Sequence, residues 1–118
     1  MPNSTVRGEG RMIVVTTETV ANAEIEKVLG LVQGSVVRSK HLGRDIAAGL
    51  KSLAGGELKG YTEMLIQARN EALQRMINEA EALGADAVVA MRFTSSAVMS
   101  GAAEMVAYGT AVKLKQSA

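Results

Sequence analysis

From Leu65 to Leu83 the apolar residues recur three or four apart: Leu65, Ala68, Ala72, Met76, Ala80 and Leu83. That is the period of one helix face. Half of those positions are alanine, so the face is thin, and whatever packs on it comes close to the helix backbone. Glu63, Gln67, Asn70, Gln74, Asn78 and Glu81 form a polar stripe on another side, and Glu71 stands four residues before Arg75, the favourable order for a helical ion pair. Gly84 is the expected C-terminal stop.

On both sides of this helix the pattern changes. Met12–Thr17 is a β-branched run and predicts a short strand. In the stretch 25–38, Ile25, Leu29 and Leu31 share one parity, and Val28, Val32 and Val36 share the other. Apolar residues on both parities predict a strand covered on two sides, with a helix over 23–29 as the competing reading. Gly30 and Gly34 inside it predict a bulge or a close backbone contact. Leu42, Ile46, Leu50 and Leu53 return to helical spacing, and Gly55-Gly56 ends that helix. After Gly84, Ala87, Val89, Met91 and Phe93 fall on one face of a strand, with Val88, Ala90 and Arg92 on the other. The segment "TSSAVMSG" reads as a turn region. Val106, Tyr108, Thr110, Val112 and Leu114 then line one face of a last strand. The order strand, strand, helix, helix, strand, strand predicts an α+β domain of about four strands packed against two helices.

The glycine-rich joint "AAGLKSLAGGELKGY" invites a phosphate-loop reading, which the spacing excludes. A P-loop needs its lysine directly after the last glycine, between a strand and a helix. Here Lys51 follows Leu50, Lys59 precedes Gly60, and the first glycines lie within a helical stripe. A flexible joint between two helices explains the run without a ligand. No dinucleotide pattern is present in it either.

Bulk composition narrows the function classes. Of 118 residues, 47 % are apolar, yet only Phe93, Tyr61 and Tyr108 are aromatic. A short apolar chain with few large side chains completes its core against copies of itself. Thirteen basic and twelve acidic residues leave a net charge of +1, which offers no electrostatic funnel for nucleic acid. The absence of cysteine removes disulfides, thiolate metal sites and a cysteine nucleophile. No apolar run reaches the length of a membrane span, and residues 1–11 read as a polar, disordered extension rather than a signal peptide. A soluble, cytoplasmic protein is expected.

"GRDIAAGLKSLAGGELKGYTEMLIQAR", then "LGADAVVAMRF" and "YGTAVKL", resemble the YbjQ-like family of small bacterial proteins, over 12 to about 115. The resemblance implies a dodecin-like subunit, a homopentameric ring with extra short strands joining neighbours, and no established activity. Members carry a heavy-metal-binding label, which sits badly with a chain that has no cysteine and one histidine. With no tryptophan, the flavin stacking of true dodecins is not carried over, and no cofactor is expected.

The polar residues in the family-like motifs are Arg44, Asp45, Tyr61 and Arg69. As a ligand-binding site, an arginine would clamp an anion with Tyr61 as edge or donor. As structure, they would pair to hold helices and a neighbour together. His41 and Asp45 could share a helix face, but two ligands do not close a metal site, so no metal residue is assigned. Asp86 is expected to fix its turn by accepting from nearby backbone amides. No paired carboxylates and no serine elbow mark a catalytic site. Met64, Met76, Met91 and Met105 read as core fillers. The function expected is that of a self-assembling protein that binds or sequesters a small ligand or ion. An enzyme with a site shared between subunits is the alternative.

Overall fold

The computed structural model describes residues 11–39 and 57–116. The elements run β1 (Ile13–Val14), β2 (Ile25–Ser39), α1 (Glu57–Ala82), β3 (Ala87–Met99) and β4 (Ala102–Leu114). The first helix expected, over 42–53, lies outside the described residues. The strands form one mixed sheet in the order β1-β3-β4-β2. β2 and β4 are antiparallel from Ile25↔Leu114 to Ser39↔Ala102. β3 and β4 form a hairpin closed at Gly101, whose φ of 77° the tight turn requires. β1 runs parallel to the start of β3.

One helix covers one face of this sheet. Met64, Ala68, Ala72, Met76 and Ala80, each four residues from the last, are buried along α1. The last four meet Val32 and Val36 of β2, Met105, Ala107 and Ala111 of β4, and Val88 and Met91 of β3. The thin alanine face lets the backbones approach. At Gly34 a Cβ would fall 2.5 Å from the Met76 nitrogen and 2.7 Å from the Arg75 Cβ, so this position admits no side chain. The buried line starts at Met64. Leu65 is only half-buried, and Leu83 lies beyond the helix end and is exposed. The helix ends in a Schellman motif, with Ala85 N–H donating to Ala80 O (3.1 Å) and Gly84 N–H to Glu81 O (2.9 Å).

Residues 25–39 are strand throughout, so the helical alternative over 23–29 fails. Within the described residues of the single chain, only one face of this strand is covered. Val32, Gly34 and Val36 are buried under α1, but Leu31, Gln33, Ser35 and Val37 on the other face are exposed. Pattern shows which residues could be buried; a covering element is needed to bury them. Among the described residues, only the β1 end of that second face is covered, by a small cluster of Ile13, Val20, Ala87, Val89, Val112 and Leu114.

The face assignment in β3 is corrected at Ala90. Ala90 has φ 55°, and the pairing jumps from Val89↔Thr110 to Arg92↔Tyr108, so two residues oppose Gly109. This bulge shifts the parity: Met91 joins Val88 under α1, while Ala87 and Val89 face the opposite cluster. Gly109 is the partner the bulge needs, since a Cβ there would sit 2.6 Å from Val88 Cγ1 and 3.3 Å from Met91 Cα. Of the segment "TSSAVMSG", only Ser100 and Gly101 form the turn; β3 continues to Met99. Ladder bonds to β4 hold these small residues extended despite their turn-like composition.

Candidate functional site

The densest polar arrangement lies where α1 crosses the outer edge of the sheet. Glu71, Arg75 and Glu79 stand four apart on the helix, one line over from the buried Ala72, Met76 and Ala80. That spacing carries them along β2. Glu71 accepts from Arg38 of β2 through Oε1 and from Arg75 Nη2 through Oε2 at 2.8 Å. Arg75 Nη1 donates to the Ser35 carbonyl at 2.6 Å. The Gln33 backbone N–H donates to Glu79 Oε1 at 2.7 Å. The hydrogen bond from Arg38, followed by the charges of both guanidinium groups, holds the Glu71 carboxyl below the usual carboxylate range, with desolvation opposing. With both oxygens occupied by arginines, Glu71 is a structural acceptor rather than a ligand or base.

Asp86 forms a second polar point. It is buried, and its Oδ2 accepts from the Leu114 backbone N–H at 2.8 Å, with Lys113 Nζ at 3.7 Å. The acid does bond a backbone amide, as its position suggested, and that amide is Leu114 at the end of β4. At the bulge, Arg92 Nη1 donates to Thr16 O and to Met91 O, both at 2.9 Å, fastening the segment after β1 to β3.

Of the four ligand-binding residues expected, Arg44 and Asp45 lie outside the described residues, as does His41. Tyr61 is half-buried near the start of α1 and Arg69 is exposed. Eight residues of helix separate them by about 12 Å along the axis. Within the described chain these two are not brought together. Among the described residues no group of three or more histidine, cysteine or acidic side chains could hold a metal ion. Met64, Met76, Met91 and Met105 are all buried as core. No helix among the described residues is long and apolar enough to cross a membrane.

Arg38, Gln33 and Glu79 escaped the sequence reading. The pair Glu71–Arg75 was visible, and extending its spacing to Glu79 would have marked the charged line. Nothing local shows that this line faces a strand some forty residues earlier.

Residues 12–115 match the YbjQ family model, described as "Putative heavy-metal-binding". A "UPF0145 protein" of Thermosipho africanus is 65% identical over 106 residues, which are 90% of this chain and 98% of that protein. Another from Thermotoga maritima is 65% identical over 105 residues, 89% of this chain and 99% of that protein. One from Colwellia psychrerythraea is 58% identical over 105 residues, 89% of this chain and 100% of that protein. A crystal structure of a protein of unknown function of the DUF74 family, from Pediococcus pentosaceus, superposes with a TM-score of 0.66. It is 18% identical and covers 88% of this chain and 98% of that one, a likeness of fold. The chain belongs to the YbjQ (UPF0145) family.

Proposed function

We propose that this chain is a non-enzymatic, self-assembling protein. Its copies form a ring, a homopentamer with dodecin-like subunits by the family resemblance, and the ring binds or sequesters a small ligand or ion. One observation carries the assembly: the described sheet carries exposed apolar surface that the described helix does not cover. From Arg92 to Ser100 every residue is exposed, and on β2 Leu31 and Val37 are 66% and 61% exposed. The structure measures 61 × 28 × 22 Å with a radius of gyration of 17.7 Å. A compact domain of this length has a radius of about 13–14 Å. A solitary chain gains nothing by holding apolar strand surface so far from its core; a chain that packs that surface on a neighbour gains its burial.

The ligand site in this reading is the boundary between copies, with Arg44, Asp45, Tyr61 and Arg69 as the binding groups. Metal is not the favoured ligand, because the described residues offer no converging donor set. The deciding experiment is the mass in solution by sedimentation or native mass spectrometry. A mass near five times 12.4 kDa is expected; a stable single chain at micromolar concentration ends the proposal. A scan of Arg69→Ala and Tyr61→Phe against small anions then tests the site.

A further inference from the structure

We infer that the groove between α1 and the uncovered part of β3 binds an anionic amphiphile, a fatty carboxylate, with Arg69 taking the headgroup. This rests on the ligand-binding reading above, in which Arg69 is a binding group, and it names the ligand class.

The groove follows from where α1 sits. Its buried line packs chiefly on β2 and β4, and the helix barely touches β3. Glu71, Arg75 and Glu79 lie on the β2 side, because each of them bonds a β2 residue. Leu65, Arg69 and Leu73 each stand one residue after a buried one, whereas Glu71 and Arg75 each stand one before. A residue turns about 100° around the helix axis. The two lines therefore flank the buried one, and Leu65, Arg69 and Leu73 face the β3 side.

The floor is set by the register. Gly34, close beneath the backbone of Ala72 and Met76, is opposite Ala107, which is opposite Phe93. Val36, Met105 and Ser95 form the next row toward the start of α1, and Arg38, Ala103 and Ala97 the one after. Phe93, Ser95 and Ala97 therefore belong to the face that α1 packs on, yet all three are exposed. Two strand residues advance about 6.6 Å, and four helix residues about 6 Å. The wall and the floor stay in step: Leu73 lies level with Phe93, Arg69 with Ser95, and Leu65 with Ala97.

The result is a channel that is apolar at both ends and cationic in the middle. Arg69 is exposed and, among the described residues, holds no hydrogen bond or ion pair. Residues 93–99 add no charge. One guanidinium matches one carboxylate, which it grips through two parallel hydrogen bonds. A dianion would leave a charge unmatched beside apolar walls. A ligand with an anionic head and an apolar tail satisfies both parts of the channel. Its head binds Arg69, with the Ser95 hydroxyl as the polar group on the floor. Its tail removes Leu73 and the 40% exposed Phe93 from water. Apolar lining with a few placed polar groups is the usual make-up of a small-molecule site.

The probe is decanoate, titrated into the full-length protein by calorimetry below the concentration at which decanoate aggregates. It should bind about tenfold or more tighter than decanol, which lacks the charge, and than butanoate, which lacks the tail. Arg69→Ala should remove the advantage over decanol, with the far-ultraviolet circular dichroism spectrum retained because Arg69 is exposed. Phe93→Ser should shrink the advantage over butanoate. Equal affinities for decanoate and decanol, or for decanoate and butanoate, overturn the inference. So does an Arg69→Ala variant that binds decanoate as the wild type does. A fall in mass on Arg69→Ala with decanoate affinity unchanged means that a neighbouring copy fills the groove, and the inference fails. If small anions bind through Arg69 with no gain from a tail, the proposed site stands and only this ligand class falls. If neither kind of anion binds, the ligand-binding reading falls with it.

Discussion

Gly34 of β2 lies directly beneath Met76 of α1, so close that a Cβ on Gly34 would fall 2.5 Å from the Met76 amide nitrogen. The obstacle is helix backbone, which has no rotamer to change. Gly34→Ala must lift α1 from the sheet, and overpacking of this kind costs about 1–3 kcal/mol. Urea unfolding should show a lower midpoint by that amount; an unchanged midpoint would mean the helix sits higher than described.

Met76 itself is fully buried where α1 meets β2 and β4. Met76→Ala leaves a cavity bounded by backbone on the β2 side, so little collapse can fill it. A loss of about 2–5 kcal/mol is expected by denaturant titration. Met64→Ala, at the end of the buried line, should cost less.

Two left-handed positions carry opposite signs. Ala90 holds φ 55° with a side chain, and Gly84 holds φ 79° without one. A Cβ in that region costs about 1–2 kcal/mol, and glycine's freedom when unfolded returns part of it. Ala90→Gly should raise stability by about 0.5 kcal/mol, and Gly84→Ala, where a Cβ meets no atom, should lower it by about 1 kcal/mol. Melting temperatures of the two variants should move in opposite directions.

The Glu71 carboxyl is held below its ordinary value of 4.5, chiefly by the hydrogen bond from Arg38. A depressed carboxyl contributes stability that is present above the unfolded value and lost as pH falls through the folded one. Acid sensitivity from this group therefore begins near pH 4.5 and grows below it. Glu71→Gln should be less stable than wild type at neutral pH, and the difference should shrink as pH falls through that window. A difference that stays constant with pH would show that charge on Glu71 is not what holds Arg38 and Arg75.

Of the candidate site residues, Arg69 was legible as a polar position on the helix, whereas Tyr61, read as the end of the glycine-rich joint, lies in α1, which begins at Glu57. Their distance apart follows from helix geometry alone. The seam made by Arg38, Glu71, Arg75 and Glu79 was half legible, because a spacing of four is local, whereas contact with Gln33 and Ser35 is not. Asp86 illustrates the same division. Its turn position announced a bond to backbone, but the donor, Leu114, is placed by the sheet.

What the chain determines by itself is periodicity and its interruptions: the thin alanine line of α1, its stop at Gly84, and the extended run through Val36. These depend on neighbours within a few residues. The tertiary structure decided which face of β2 is covered by α1, that position 34 must be glycine, that Ala90 shifts the parity of β3, and that small residues 94–99 stay extended. Those outcomes depend on pairings between residues tens of positions apart. Their free energy comes from ladder bonds and burial that exist only after the strands have met, so no local pattern contains it.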